Sequence, residues 1–308
     1  MPLKKGNIVR RFTRIRTNGT QSPSHTRILV AAVALGILLF AALASFLLYF
    51  VVQMSNPSIP PIPIAQKARV DYEPQVIEAE AVKRIEITCA RATVTVKRGK
   101  STQPLETIRI EESRRDDGNE HIPTAWSISN GTLYLDIRDS VSAWLDTKHT
   151  VVTISPDLLD RLVALSIDAS AGEISLYDLT SDALEISAKA SSVQIDGVTT
   201  PTAKLTLSST VAKLDGTFGV VDGTATSSDV ELVACGEPRR IRFKTGSSDV
   251  TIALPEGLGF TAHTSVGTGN VTFDQRVESP EQGTAIHGDG TLDLDVSVSS
   301  GSVHITQH

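Results

Sequence analysis

The chain has 308 residues, 40% of them apolar, with 29 Lys/Arg, 35 Asp/Glu and two cysteines. That length holds one large or two small domains plus appendages. With a basic N-terminal tail set aside, the remainder carries 22 bases against 35 acids, net −13, which argues against nucleic acid or anionic lipid as its partner.

Residues 1–27 hold seven Lys/Arg and no acid, the ordinary signal of a cytoplasmic tail. Residues 28–52, ILVAAVALGILLFAALASFLLYFVV, run for 25 residues without a charge. About 20 apolar residues cross a bilayer as a helix, so a single-pass transmembrane anchor is expected here. Tyr49 and Phe50 fall at its far interface. A cleaved signal peptide is the rival reading, because Ala42–Ser45 offers small residues. However, seven more apolar residues follow Ser45, past the usual apolar core of about 7–15 residues. Residues 53–76 follow as a Pro-rich extracytoplasmic linker, with prolines at 57, 60, 61 and 63, extended and semi-rigid. The expected location is the plasma membrane of a cell envelope, with the N-terminus inside and residues 77–308 outside.

From Ile77 onward the text changes to short alternating strands broken by Gly, Asp, Asn and Ser. Aligned with itself, it repeats. The pairs Ile174/Leu176, Val193/Ile195, Ala212/Leu214, Val230/Leu232, Val250/Ile252, Val271/Phe273 and Val303/Ile305 are spaced by 19, 19, 18, 20, 21 and 32 residues. Two residues before each sits a small residue: Gly172, Ser191, Thr210, Ser228, Ser248, Gly269 and Gly301. Ile85/Ile87/Cys89 with Val94/Val96 is an isolated early copy. A period near 19 with one apolar face per strand means rungs that bury those faces only by stacking. The expectation is an all-β, right-handed parallel β-solenoid of about seven or eight rungs at roughly 4.8 Å each. A β-sandwich with similar strand lengths is the alternative. The small residues fit a bend where bulk would not, so the serines read as structural.

The interval from Val96 to Ile174 reads as an inserted N-terminal cap, closing the solenoid against edge pairing. In it a hairpin turns at Asn130-Gly131, Trp126 and Trp144 serve as packing anchors, Arg114 to Asp117 forms a solvated charged loop, and Ser155–Leu165 is the one helical candidate. The gap from Phe273 to Val303 reads as an irregular rung with a tight turn at Gly288–Gly290. Cys89 and Cys235 read either as one disulfide or as two buried thiols.

No nucleophile elbow, zincin, phosphate-loop or paired-cysteine motif occurs, and the histidines show no ligand spacing, so no enzyme and no cofactor are expected. The His287–Asp289 turn reads as structural. Asn130 and Asn270 begin N-x-[ST] sequons, relevant only in a suitable secretory pathway. The residue just before each reference position faces outward, and Asp229, Asp249 and Asn270 fall there on three successive rungs. Two readings stand: solvated acids that keep the face soluble, or a weak calcium strip of carboxylate and amide oxygens.

The segments ALSIDASAGEISLYDL, LEISAKASSVQID and FKTGSSDVTIALPEG resemble the bacterial "putative adhesin" family of β-strand-repeat domains of unknown function (DUF4097-like), over roughly residues 80–306. Several corners here read Ser-Ser or Ser-Thr where that family has Ser-Gly. The resemblance implies a bacterial cell-envelope location, often behind a single anchor, and transfers no catalytic residue. The functional expectation is therefore a binding or scaffolding domain displayed at the surface to an envelope polymer or protein. The alternative is an envelope sensor that signals through its short basic tail.

Overall fold

The computed structural model describes residues 69–102, 106–115, 121–138, 148–281 and 283–308. The basic tail, the apolar run at 28–52 expected to span a membrane, most of the expected linker and Trp144 lie outside the described residues. Among the described residues no helix is long and apolar enough to cross a membrane.

In chain order the strands are β1 (Arg69–Asp71), β2 (Gln75–Glu78), β3 (Arg84–Ala90), β4 (Ala92–Arg98), β5 (Thr107–Arg115), β6 (Ala125–Ser129), β7 (Thr132–Arg138) and β8 (Lys148–Ile154). A one-turn helix α1 (Pro156–Leu159) follows, buried through Leu158 and Leu159. Then come β9 (Ala164–Ser170), β10 (Glu173–Tyr177), β11 (Ala183–Lys189), β12 (Ser192–Ser208), β13 (Val211–Thr226), β14 (Asp229–Cys235) and β15 (Arg240–Leu254). The last five are β16 (Phe260–Val266), β17 (Asn270–Phe273), β18 (Glu278–Glu281), β19 (Thr284–His287) and β20 (Leu292–Gln307). The expected helical turn is present. Ser155 at its start accepts a bond from the Thr107 amide of β5, 3.2 Å, instead of capping its own helix.

The fold is all-β and solenoid-like, because parallel pairing runs from rung to rung in two ladders. Before the corner, Leu135, Ile87, Ile167, Ile186, Leu205, Gly223, Phe243 and Val296 stand in register. After it, Val94, Ile174, Val193, Ala212, Val230, Val250, Val303 and Val271 do the same. Strict alternation turns both rows inward, and they join into one continuous core. Gly223 is the gap in the first row: a Cβ there would meet the Phe243 ring of the next rung at 2.3 Å. A glycine makes room for an aromatic.

The corners show why small polar residues recur. Arg91, Ala171, Ala190, Ser209 and Ser227 hold positive φ, 48–56°, and the next residue begins the second strand or its approach. There the Ser228 hydroxyl accepts the Thr210 amide (3.2 Å) and donates to Thr226 O (3.1 Å), while the Ser248 hydroxyl accepts the Ser228 amide (3.1 Å). Ser191 serves the Gly172 amide in the same way, at 3.4 Å. These hydroxyls are buried and link successive rungs, each bond stabilising by about 0.5–1.5 kcal/mol net. Size alone explained them incompletely.

The order of rungs corrects the expectation at both ends. The early copy β3–β4 is not isolated: it pairs directly with β9 and β10. The inserted region supplies the rung outside it, with β7 on β3 and β8 on β4, flanked by antiparallel β5 and β6. At the other end, the 32-residue gap is not an irregular rung. β16 and β17 leave one place empty, β18 and β19 form an antiparallel hairpin, and β20 returns into that place between β15 and β16–β17.

Two residues of the cap also differ from expectation. Arg114 is not in a solvated loop but on β5, 2% exposed, because it shares the inward parity of Ile108 and Ile110. Trp126 is no buried anchor: it is 46% exposed, and its indole Nε1 donates to Gln75 Oε1 at 3.0 Å, tying β6 to β2.

Candidate functional site

The outward positions form ladders as regular as the inward ones. On the row just before the reference positions stand Glu173, Ser192, Val211, Asp229, Asp249, Ser302 and Asn270. Asp229 and Asp249 are direct neighbours, at about the 4.8 Å strand spacing. Asn270 is not next to Asp249, because the intercalated β20 places Ser302 between them. The Ser302 hydroxyl donates to Asp249 Oδ1 at 2.6 Å. Among the described residues no group of three or more His, Cys, Asp or Glu side chains gathers to hold a metal ion.

Elsewhere the ladders alternate in sign. Glu185, Lys204, Asp222, Arg242 and Asp295 follow one another in register. Lys204 meets Glu185 at 2.6 Å, and Arg242 meets Asp295 at 3.1 Å and Asp222 at 3.8 Å. Lys213 and Glu231 pair at 3.3 Å in the other ladder. Exposed pairs contribute little stability, about 0–1 kcal/mol each. A one-rung slip would set like charges opposite each other, so their effect is on register.

A second polar group, missed by the sequence reading, lies buried in the cap. Glu112 on β5 and Lys148 on β8 both point inward and pair at 2.6 Å, with side chains 4% and 2% exposed. The Thr124 amide (3.0 Å) and its hydroxyl both donate to Glu112 Oε1. Lys148 Nζ donates to Ile122 O at 2.8 Å, and His121 Nε2 lies 3.1 Å from Glu112 Oε2. Tyr72 stacks on the His121 ring, centroids 3.5 Å apart. Burial alone would raise the Glu112 carboxyl, but the Lys148 and Thr124 bonds outweigh it and hold the group below its ordinary range. Burial lowers the His121 imidazole despite the attraction of Glu112. This ion pair with a proton-linked histidine fastens the segment ahead of β6 onto β5 and β8. Strand parity carried the signal: Ile108, Ile110, Glu112 and Arg114 share one face, as do Lys148, Thr150, Val152 and Ile154.

The remaining candidates are structural or separate. Cys89 is buried, its thiol pushed up to about 11 by burial, and Cys235 is partly exposed; both are free, so the disulfide reading is corrected. His287 Nδ1 lies 3.1 Å from Arg276 O, in a turn where Gly288 and Gly290 adopt positive φ. Asn130 and Asn270 are both exposed.

Among solved structures, the described fold is similar to a "putative adhesin" from Bacteroides fragilis, 14% identical over 78% of this chain and 97% of that one, TM-score 0.49. It is also similar to a "putative cell adhesion protein" from Clostridium sporogenes, 12% identical over 78% and 100%, TM-score 0.37. A third is a "putative lipid binding protein" from Parabacteroides distasonis, 12% identical over 76% and 96%, TM-score 0.38. No curated protein matches the chain. The family model Toastrack DUF4097 matches residues 160–306, from the end of α1 through β20. Residues 160–306 therefore form a domain of the DUF4097 (Toastrack) family, the "putative adhesin" family that the strand repeats resemble.

Proposed function

We propose that this is a membrane-anchored cell-envelope protein whose β-repeat domain presents a rigid surface for binding or scaffolding, without catalysis of its own. The anchor is the apolar run at 28–52, the basic tail lies in the cytoplasm, and the solenoid winds right-handed, the hand that twisted parallel strands favour. The observation that best supports a binding surface is the continuous outward register from Glu173 to Asn270. Apart from the exposed Val211, it offers fixed polar positions at an even pitch to a repetitive polymer or an extended protein. The family resemblance points the same way.

The test is co-sedimentation of the full chain, in detergent, with purified peptidoglycan sacculi. Saturable capture that weakens in Asp229→Lys/Asp249→Lys is expected, and capture that ignores both substitutions would remove this surface from the proposal. Replacing residues 1–52 by an unrelated anchor separates scaffold from sensor: wall capture and any cellular phenotype both persist for a scaffold. Protease on intact cells should remove residues 77–308 and leave a membrane-held stub.

A further inference from the structure

The two ladders end differently on the N-terminal side. In the second, β8 is followed by β5, and β5 by β1 and β2, which carry Arg69, Asp71 and Glu78. In the first, β7 is followed by β6, and among the described residues β6 pairs with β7 only. All five residues of β6, Ala-Trp-Ser-Ile-Ser, are exposed, and none is charged. Natural edge strands are usually blunted by charge or proline, because unpaired backbone groups template another strand. This edge has neither device.

The turn fixes what the edge offers. Asn130 and Gly131 form a two-residue connection with φ of 50° and 74°, the type I′ pattern. Such a turn makes Ser129 and Thr132 a hydrogen-bonded pair. Alternation then aims the N–H and C=O groups of Trp126 and Ile128 away from β7. Their side chains, 46% and 40% exposed, share a face with Leu135 and Leu133 and extend the apolar inner face past the last covered strand. Ile128 also lines a cleft of about 850 Å³ with Glu78, Glu80, Glu106 and Asp157. Arg161 pairs with Glu106 at 2.9 Å, which leaves the cleft net acidic.

We propose that β6 is a docking edge for an extended peptide segment of a partner protein. The segment adds to β6 as a further strand, sets apolar residues against Trp126 and Ile128, and places a Lys or Arg in the acidic cleft. A second copy of this chain is the poorer occupant, since β6 has no base to offer that cleft. The inference deepens the binding reading and rests on it.

The experiment uses the full chain in detergent and a labelled heptapeptide, Lys-Arg-Val-Thr-Ile-Thr-Val, followed by fluorescence anisotropy. Saturable binding is expected. N-methylating the peptide on alternate residues should weaken it by about tenfold or more, since the same side chains then lack the backbone bonds. Ile128→Pro removes an outward N–H and spares the β7 pairing, so a similar loss is expected. Glu78→Gln/Glu80→Gln should cost several-fold, and that loss should shrink as salt screens the charges. Equal binding of the N-methylated peptide, or no saturation up to about 1 mM, overturns the proposal. So does displacement of the peptide by self-association of the chain. Should Ile128→Pro fail to fold, the N-methylated peptide decides alone. Sacculus capture is measured in parallel: capture without peptide binding defeats this edge and leaves the wider binding reading standing.

Discussion

Between β9 and β15 the chain climbs its stack one rung at a time, each strand pairing with the strand 18 to 20 residues onward. At the two ends it does not. The first repeat copy, β3–β4, has β7 and β8 outside it, and the last strand, β20, has β16 and β17 outside it. Each therefore has a neighbour on both sides, while the places outside them go to segments from inside the sequence, except that β1 and β2 lie beyond β5. Those segments carry the antiparallel hairpins β6–β7 and β18–β19 and the antiparallel β5. A regular solenoid leaves two raw edges, and this chain spends its irregularity on them. The middle is held by repetition and the ends by individual contacts.

The sharpest way to break that contrast is truncation. Removing residues 292–308 takes out an interior rung, not a terminal one, and no cooperative thermal transition should remain. A melt like that of the intact chain would show β20 to be peripheral. In the N-terminal cap, Lys148→Met leaves Glu112 buried without its cation, and loss of one partner of such a pair costs about 3–5 kcal/mol. Glu112→Gln combined with Lys148→Met should recover part of it, and chemical denaturation measures both. The same cluster sets an acid limit. The folded Glu112 carboxyl lies below its unfolded value, so its stabilisation is complete above the ordinary carboxylate range and is lost as pH falls through the folded value. His121, lowered by burial, begins to oppose folding already as pH drops below the ordinary histidine range. Melting temperature should therefore fall on acidification in the intact chain and fall less in Glu112→Gln/Lys148→Met.

In the middle, Gly223→Ala drives a methyl into the Phe243 ring and should cost about 1–3 kcal/mol, with Gly223→Ala/Phe243→Leu restoring most of it. The smallest effect belongs to a single hydroxyl. Ser228→Ala orphans the Thr210 amide and should cost about 1–2 kcal/mol, in line with an unsatisfied buried donor. A neutral result would mean that water or a shifted backbone replaces the ladder.

The contrast between middle and ends also marks what the residues disclose by themselves. Alternation in Leu184/Ile186/Ala188 or Ile241/Phe243/Thr245 names the buried face directly, and the 19-residue period names the stacking partner. Neither signal reports that β20 lies between β15 and β17. Val250, Val271 and Val303 are interchangeable in such a ladder, and any strand with that pattern fits any place. The order is decided by connections and by packing around the β18–β19 hairpin. Glu112 and Lys148 were legible in principle by parity, but charged residues followed by Arg-Arg-Asp-Asp look like a loop until the strand is extended through them. The corner hydroxyls show a third case, because residue size was readable while the bond each one makes depends on the neighbouring rung. The candidate Asp229–Asp249 pair followed from the period, and its continuation to Asn270 failed where the order of rungs departs from the order of residues.

The inward place of β20 has a consequence for how the molecule is made. Its sixteen residues, Leu292–Gln307, follow every other strand in chain order. During synthesis β15, β16 and β17 are available long before their common neighbour, so the slot between them waits with both backbone edges unpaired. Pairing so distant in sequence is slow to form. Completion of the domain thus waits for β20 to be synthesised, and a nascent chain stalled before it would expose two adhesive edges at once.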